Sequence, residues 1–307
     1  MTKKRIAIYL SLIGLLLAIV LAWYTLAFLT QPEPASPSET MPAKFDGQRA
    51  LADVETQVAF GPRTPGSAAH AQVIEWMRAE LTAAGWDSRI QSAEMLGHPI
   101  QNVIAYRMDE SPQIIIAAHY DSRMFADKDP DLLKRLEPVP GANDGASGVA
   151  VLLELARVLP DNTVPIWLVF FDAEDNGRIQ GWDWILGSRA FVAALETHPE
   201  AVVIVDMIGD ADQNVYIERN SDSALVAEIW GVAGELGFSE RIIPTPKHSI
   251  LDDHTPFLEA GIPAVDIIDF DYPYWHTTAD TPDKVSAESL EAIGITLQEW
   301  LLRRSGR

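Results

Sequence analysis

Acidic and histidine side chains stand where several apolar segments of this sequence end. His119 and Asp121 follow the segment QIIIAA, and Glu174 and Asp175 follow VPIWLVFFDA. Asp206 follows AVVIV in the same way. Because ligands of open α/β sheets bind at the carboxyl ends of the strands, we expect these side chains to share one edge of a sheet. Imidazole and carboxylate groups are typical zinc ligands, so the pattern predicts a metal site.

Two further residues are candidates for the same site. Asp144 is the single acid in GANDGASG at residues 141–148, where glycine lets the backbone turn tightly before a helix. His276 follows the last apolar segment, in YWHTTAD. Each residue alone has an ordinary structural interpretation: Asp144 as a turn former or helix cap, and His119 as a core histidine. Their recurrence at one predicted edge favours metal binding.

The apolar segments also predict the fold class. Four nearly continuous apolar runs, within residues 113–121, 164–175, 201–210 and 262–269, are typical of strands buried on both faces. The segment SGVAVLLELARVL between two of them has the pattern of a helix. The sequence therefore predicts an α/β fold with mostly parallel central strands.

Composition limits the functions and the ligands. The chain has 307 residues, 48% of them hydrophobic, which is enough for one large catalytic domain. Its formal net charge of −21 argues against a nucleic-acid partner, because phosphate binding needs clustered Lys and Arg. The chain has no cysteine, so a bound metal must be held by His, Asp and Glu. The sequence has no G-x-S-x-G elbow and no H-E-x-x-H motif, so serine hydrolysis and that class of zinc protease are not expected.

The N-terminus predicts a membrane anchor. Residues 1–5 form a basic flank, and residues 6–29 form an uncharged apolar run longer than the roughly 20 residues that span a bilayer. A cleaved signal peptide is the alternative, but its apolar core is about 7–15 residues long. The basic flank predicts a single-pass cell-membrane protein whose catalytic domain, residues 45–307, lies outside the cytoplasm. Residues 30–44, rich in Pro, Ser and Glu, are expected to be a linker.

A set of motifs in a characteristic order carries a family resemblance. The motifs are HYDSR, PGANDGASGVAVLLELAR, FFDAED, GSRAF, VDMIGD, DDHTPFLEAGIP and YWHTTAD. They resemble the co-catalytic zinc aminopeptidases and their relatives, the zinc-dependent glutaminyl-peptide cyclotransferases, over about residues 46–305. The resemblance implies a three-layer sandwich with a mixed, mostly parallel central sheet, and an enzyme that acts on peptide or protein N-termini.

The resemblance also implies a ligand set for zinc. In the aminopeptidases two zinc ions share an aspartate, which Asp144 matches. Asp175 and His276 match the other ligands of one ion, and His119 and Asp206 match those of the second. The family often has Glu at the position of Asp175, whose shorter side chain can still reach zinc.

The two branches of the family use nearly the same residues differently. In the aminopeptidases the residue matching Glu174 activates a water molecule, and the one matching Asp121 orients His119. The cyclotransferases hold a single zinc ion, at the three positions of the first ligand set. There Glu174 would move a proton from the peptide's own amine to the departing ammonia, beside Asp206 and Asp252.

Three features favour cyclisation. The triplet DDH at residues 252–254 resembles the cyclotransferase version, whereas aminopeptidases usually have Ser at its first position. Trp275 directly before the zinc histidine is a second cyclotransferase feature. The third is the insert NGRIQGWDWILGSR, where Trp182 is the expected pocket tryptophan and Trp184 is the alternative.

Hydrolysis stays open as the second interpretation. GANDGASG and WHTTADTPDKVS are equally at home in an aminopeptidase, and His119 and Asp206 are available for a second zinc ion. An inactive binding module is a third alternative, which the presence of Glu174 and of the ligand set disfavours. The sequence thus predicts a cyclotransferase with one zinc ion, or an aminopeptidase with two.

Overall fold

The computed structural model describes residues 2–29, 43–108, 110–161 and 163–306. The chain divides near residue 41 into two compact units. The linker predicted at residues 30–44 lies mostly outside the described residues, and the assignment of domain boundaries stays a prediction.

The N-terminal unit contains one long apolar helix, α1 (Lys3–Leu29). Its segment Ile8–Leu26 has a mean hydropathy of 2.1 and no buried residue. A helix of this length extends about 40 Å at 1.5 Å per residue, which exceeds the roughly 30 Å hydrocarbon core of a bilayer. The helix is therefore long and apolar enough to cross a membrane, a property that a signal sequence shares.

In the described part of the second unit, six strands form the main sheet. In spatial order they are β1 (Asp87–Met95), β2 (His98–Tyr106), β4 (Ile166–Phe171), β3 (Ile114–His119), β5 (Ala201–Asp206) and β8 (Ala264–Ile268). β4, β3, β5 and β8 run parallel, whereas β1 and β2 form an antiparallel hairpin at one side. The short strands β6 (Val215–Ile217) and β7 (Ile242–Pro246) pair separately. The prediction of a mixed, mostly parallel sheet is confirmed.

Helices cover both faces of this sheet. They are α2 (Gly47–Ala59), α3 (Ala68–Ala83), α4 (Ala146–Val158), α5 (Leu186–Ala193), α6 (Ser223–Glu235), α7 (Thr255–Glu259) and α8 (Ala287–Arg304). Buried side chains of α2, α3, α4, α6 and α8 share one large core with one face of the sheet. Side chains of α5 and α7 pack in a second core on the opposite face. The three-layer arrangement follows because the central strands are apolar on both faces and need a helical layer on each.

Candidate active site

The carboxyl ends of the parallel strands open into one cleft of about 230 Å³. His119 and Asp206 are the last residues of β3 and β5, and Glu174 follows β4 by three positions. The acids that line the cleft are Asp144, Glu174, Asp175, Asp206 and Asp252. These acids lie together at one edge of the sheet, and all five are buried.

The glycine-rich loop before α4 brings Asp144 to this edge. Gly145 has a φ of +98°, and a Cβ atom there would lie 2.6 Å from the carbonyl oxygen of Asp121. Glycine at this position therefore allows both the turn and the close approach to the end of β3. Asp280 fixes the loop, since its carboxylate accepts hydrogen bonds from the backbone N–H groups of Asn143 at 2.8 Å and Asp144 at 3.2 Å.

The first group of potential metal ligands consists of Asp144, Asp175 and His276. The Nε2 atom of His276 lies 2.8 Å from Oδ1 of Asp175 and 3.9 Å from Oδ2 of Asp144. Ligand atoms of a tetrahedral zinc ion lie about 3.3 Å apart when the bonds are close to 2.0–2.2 Å. Oδ2 of Asp144 and Oδ2 of Asp175 are buried without a hydrogen-bond partner in the described structure. The three residues therefore fit a zinc ion, which would satisfy those oxygens.

The second group shares Asp144 with the first. The Nε2 atom of His119 lies 3.1 Å from Oδ1 of Asp144 and 3.2 Å from Oδ1 of Asp206. These distances also correspond to edges of a tetrahedral site. Asp144 thus offers one oxygen to each group, and the chain has the side chains for two neighbouring metal ions.

Asp121 supports both groups from beneath. One of its oxygens accepts a hydrogen bond from the backbone N–H of Glu174 at 3.0 Å and lies 3.4 Å from Nδ1 of His119. The other accepts from the N–H of Asp175 at 3.4 Å and from the side-chain amide of Asn176 at 3.2 Å. Asp121 therefore lies next to His119, so its predicted role in orienting that ring stays a prediction, and it fixes the loop that carries the candidate base.

His276 has a carboxylate partner that the sequence analysis missed. Oδ1 of Asp127 lies 3.3 Å from Nδ1 of His276, and Arg123 donates two hydrogen bonds to the Asp127 carboxylate at 2.9 and 3.0 Å. Burial lowers the pKa of His276, but Asp175 and Asp127 outweigh it and raise the pKa to about 9. A metal ion must therefore displace a proton from His276 when it binds.

Replacing Asp127 with Asn should weaken zinc binding by about 10- to 100-fold, because the imidazole would lose the group that fixes its orientation. The measurement is the zinc dissociation constant, obtained by competition with a chromophoric chelator. Asp131→Asn in the same loop is the matched control, since Asp131 is exposed and an amide oxygen can still accept the hydrogen bond from Leu133. Equal zinc affinities in both variants and the parent would contradict this role for Asp127.

Strained backbone occurs next to the candidate residues. Ala173, directly before Glu174, has a φ of +51°, and Met207, directly after Asp206, has a φ of +46°. His276 itself has a φ of +57°. Non-glycine residues in this region cost roughly 1–3 kcal/mol each and persist where the surrounding structure enforces them. Their position next to the cleft residues is typical of a functional site.

Four acids of the cleft have raised pKa values: Glu174, Asp175, Asp206 and Asp252. Burial raises the pKa of Glu174 well above its usual value; His119 opposes this, and Asp175 and Asp252 add to it. Burial and the charge of Asp206 raise the pKa of Asp252 to about 7. Burial also raises the pKa of Asp206. Mutually coupled carboxyl groups of this kind can hold and pass on a proton near neutral pH.

Behind Asp252, the remainder of the DDH triplet is buried against further acids. Nε2 of His254 lies 3.3 Å from Oε2 of Glu218, and its Nδ1 lies 3.7 Å from Oδ2 of Asp266. Asp252, His254 and Asp266 form a third group with the spacing of metal ligands. Asp252 was recognisable from the triplet, whereas Glu218 and Asp266 lie outside it and come next to His254 only through the fold.

The structure corrects the assignment of the second pocket tryptophan. Trp182 lies outside the cleft, where it stacks on His98 with the ring centroids 3.6 Å apart. Trp184 lines the cleft instead, together with Trp275. Its ring stacks 6.0 Å from the ring of His276, and the guanidinium of Arg123 lies 5.0 Å from its centroid. The cleft therefore has two aromatic walls close to the first ligand group.

Replacing Trp184 with Ala should raise the KM for a peptide substrate about tenfold, since removal of a half-buried aromatic wall costs on the order of 1.4 kcal/mol of binding. Trp182→Ala is the matched control, because this residue lies two positions away and outside the cleft. Steady-state kinetics on a series of peptides measures both. The opposite result, a raised KM for Trp182→Ala alone, would restore the assignment made from the sequence.

Comparison with known proteins identifies the family. Residues 102–301 match the sequence profile of peptidase family M28. The chain belongs to this family. Members of peptidase family M28 are zinc-dependent enzymes that act on peptides, and the ligand groups around Asp144 agree with that chemistry.

Both branches predicted from the motifs occur among the relatives. A glutaminyl cyclase from Porphyromonas gingivalis is 32% identical, has a TM-score of 0.80 and covers 85% of this chain and 100% of its own. A Zn-dependent exopeptidase from Parabacteroides distasonis is 32% identical, has a TM-score of 0.79 and covers 84% of this chain and 98% of its own. A glutaminyl-peptide cyclotransferase-like protein from Bos taurus is 27% identical over 80% of this chain and 72% of its own. The resemblance is confirmed, and the family alone does not choose between the two reactions.

Proposed function

We propose that this M28 enzyme is a glutaminyl-peptide cyclotransferase, which converts an N-terminal glutamine into pyroglutamate and releases ammonia. The observation that carries the proposal is the presence of Asp252 in the cleft beside Glu174 and Asp206. Their raised pKa values give the cleft a group of acids that can accept and return a proton without an external water molecule. The Trp184 and Trp275 walls suit the short side chain of a terminal residue.

The bond that forms and the bond that breaks both lie in the substrate, and Glu174 transfers one proton. The α-amine nitrogen of the terminal glutamine attacks the side-chain amide carbon, so one N–C bond forms. The bond from that carbon to the side-chain nitrogen breaks. Glu174 takes a proton from the attacking amine and gives it to the departing nitrogen, which leaves as ammonia. Asp206 and Asp252 keep the proton near Glu174 during the transfer.

One zinc ion, held by Asp144, Asp175 and His276, is sufficient for this reaction. When bound, it acts as a Lewis acid on the side-chain carbonyl of the glutamine. The protein supplies the other requirements. Asp121 and Asp127 orient the histidines, and Asp280 fixes the loop of Asp144. The aromatic walls restrict the bound side chain and exclude competing water.

The Asp252→Ser variant tests this proposal. We expect its kcat for cyclisation to fall by roughly 100-fold or more, the usual range for loss of a group that assists proton transfer, while zinc content stays unchanged. The rate of any hydrolysis of the first peptide bond should stay unchanged. Asp212→Ser, at an exposed acid, is the control. Loss of hydrolysis with retained cyclisation would reject the assignment of Asp252.

An aminopeptidase is the second candidate, because His119, Asp144 and Asp206 can hold another zinc ion. In that reaction Glu174 takes a proton from a water molecule that attacks the first peptide bond. Two zinc ions per chain and release of the first residue from peptides would support this function instead.

We also propose that α1 anchors the enzyme in the cell membrane, with the catalytic unit outside the cytoplasm. The length and hydropathy of α1 support the anchor, and the residues Lys3, Lys4 and Arg5 before its apolar segment support the orientation. Cleavage of α1 as a signal sequence is the alternative, which the mass of the mature chain would reveal.

A further inference from the structure

Among the described residues that line the cleft, one side chain is positively charged. Arg178 is exposed, whereas the five acids of the cleft are buried. The difference in exposure places the acids at the floor of the cleft and the guanidinium at its mouth. The two ends of the cleft therefore carry opposite charge.

The guanidinium of Arg178 is free to bind a ligand. Within the described residues it has no hydrogen bond and no ion pair. Other surface arginines of this acidic chain are paired, Arg189 with Glu259 at 3.1 Å and Arg303 with Glu235 at 2.7 Å. A guanidinium carries five N–H donors in a planar arrangement that matches a carboxylate. Arg178 thus presents an unused carboxylate-binding group at the mouth of the cleft.

The backbone that carries Arg178 is held in place. The buried Arg123 donates hydrogen bonds to the carbonyl oxygens of Asp175 at 2.8 Å and Gly177 at 3.1 Å. The ring of Trp184 packs directly against Gly177. Arg178 itself has a φ of +62°, a conformation that a non-glycine residue keeps where the surrounding structure enforces it. The side chain therefore starts from a fixed point beside the cleft.

A peptide that binds by its N-terminus must leave the cleft past Arg178. Its terminal amine is positively charged and is attracted to the acids at the floor, so the following residues extend through the mouth. The second and third residues of an extended chain lie within about 7 Å of the first. Ser249 and Leu251, which are exposed and also line the cleft, are uncharged. Arg178 is therefore the charged contact for these two residues.

We propose that Arg178 selects peptides that carry a carboxylate in their second or third residue. The inference rests on the proposed function, since a peptide N-terminus must occupy the cleft, and deepens it by naming a substrate class. A guanidinium and a carboxylate form a charge-assisted hydrogen bond, so an acidic residue strengthens binding. A lysine at the same place is repelled. Arg178 is a specificity residue and takes no part in proton transfer.

Binding can be measured without turnover on the zinc-loaded, full-length Glu174→Gln protein. Isothermal titration calorimetry gives the Kd of amide-capped peptides that begin with Gln and carry Glu, Gln or Lys at the second or third position. We expect a Glu peptide to bind about fivefold more tightly than its Gln counterpart, and the Lys peptide more weakly than either. Raised salt should reduce the difference, because the pair is exposed to solvent.

Variants of Arg178 in the same background isolate the guanidinium. Arg178→Gln should bring the ratio of the affinities for the Glu and Gln peptides to about one, and Arg178→Glu should favour the Lys peptide. The control is Arg303→Gln, which removes an exposed arginine of α8 outside the cleft and should keep the parental ratio. Equal affinities before the substitution would overturn the proposal, as would a preference that survives Arg178→Gln or the absence of binding by every peptide.

Failure of the proposed function gives a different result. The products formed by the protein with Glu174 intact report the reaction, as ammonia for cyclisation or a free terminal residue for hydrolysis. The ratio of affinities reports Arg178, because both reactions place the peptide N-terminus in the same cleft.

Discussion

Replacing Asp144 with Asn will leave the protein without bound zinc and without activity. Asp144 contributes one oxygen to each of the two ligand groups that share it, so neither of these groups keeps three ligands when its charge is lost. We expect kcat/KM to fall by more than the roughly 100-fold that loss of an outer hydrogen-bond partner causes. Zinc per chain, measured by inductively coupled plasma mass spectrometry after dialysis, and turnover of a peptide are measured on the same sample.

The control for Asp144 is Asp212→Asn, which removes one exposed carboxylate from the surface. It should retain parental zinc content and activity. The shared-ligand role would be refuted by an Asp144→Asn protein that keeps one tightly bound zinc ion per chain and turns over normally. His276→Ala separates the two groups, because it should remove the metal of the first group alone.

Replacing Glu174 with Gln should preserve zinc and abolish turnover. The amide has nearly the same shape as the carboxyl group but cannot take up and return a proton, so kcat should fall by about 10²- to 10⁴-fold. Glu174 lines the cleft and belongs to neither ligand group, so its loss leaves the metal in place. The measurement is kcat together with zinc content.

The matched control is Glu240→Gln, which changes the same functional group at an exposed position. A Glu174→Gln enzyme with a kcat close to that of the parent would show that another residue moves the proton, and Asp252 would be the next to test. A loss of zinc in Glu174→Gln would instead place this residue among the ligands.

The sheet and most of the acidic residues of the cleft were predictable from the sequence. Strands buried on both faces have continuous apolar runs, and the polar residue that ends each run is conspicuous for that reason. His119 and Asp206 end β3 and β5 in this way. Parallel strands end at the same edge, so a local pattern in the sequence translates directly into proximity in space.

The insert after β4 could not be resolved from the sequence, because its path depends on the backbone. Arg178 and Ile185 both adopt positive φ, and these turns decide which tryptophan faces the cleft. Gly177 is the residue in the sequence that indicates which tryptophan packs here, because a Cβ atom at that position would lie 2.0 Å from the ring of Trp184. A glycine at that point is required for Trp184, and not Trp182, to pack against the loop.

A carboxylate partner of a histidine could not be predicted from the sequence when the partner comes from a distant segment of the chain. Asp121 is two residues from His119, and the family resemblance of the HYDSR motif implied its role. Asp127 and His276 are far apart in the chain, and the tertiary fold alone brings them to 3.3 Å. Spacing within a motif predicts a hydrogen-bond partner on the same strand or loop, whereas a pair across loops requires the structure.

The most direct test of the central claim is mass spectrometry on the zinc-loaded protein, given two peptides that begin with Gln and with Leu. We predict that the Gln peptide loses the mass of one ammonia and keeps the rest of its sequence, while the Leu peptide stays intact. The loss of ammonia should require zinc and Glu174. Release of free N-terminal residues from either peptide, without loss of ammonia, would contradict the cyclotransferase assignment and identify an aminopeptidase in which Asp144 bridges two zinc ions.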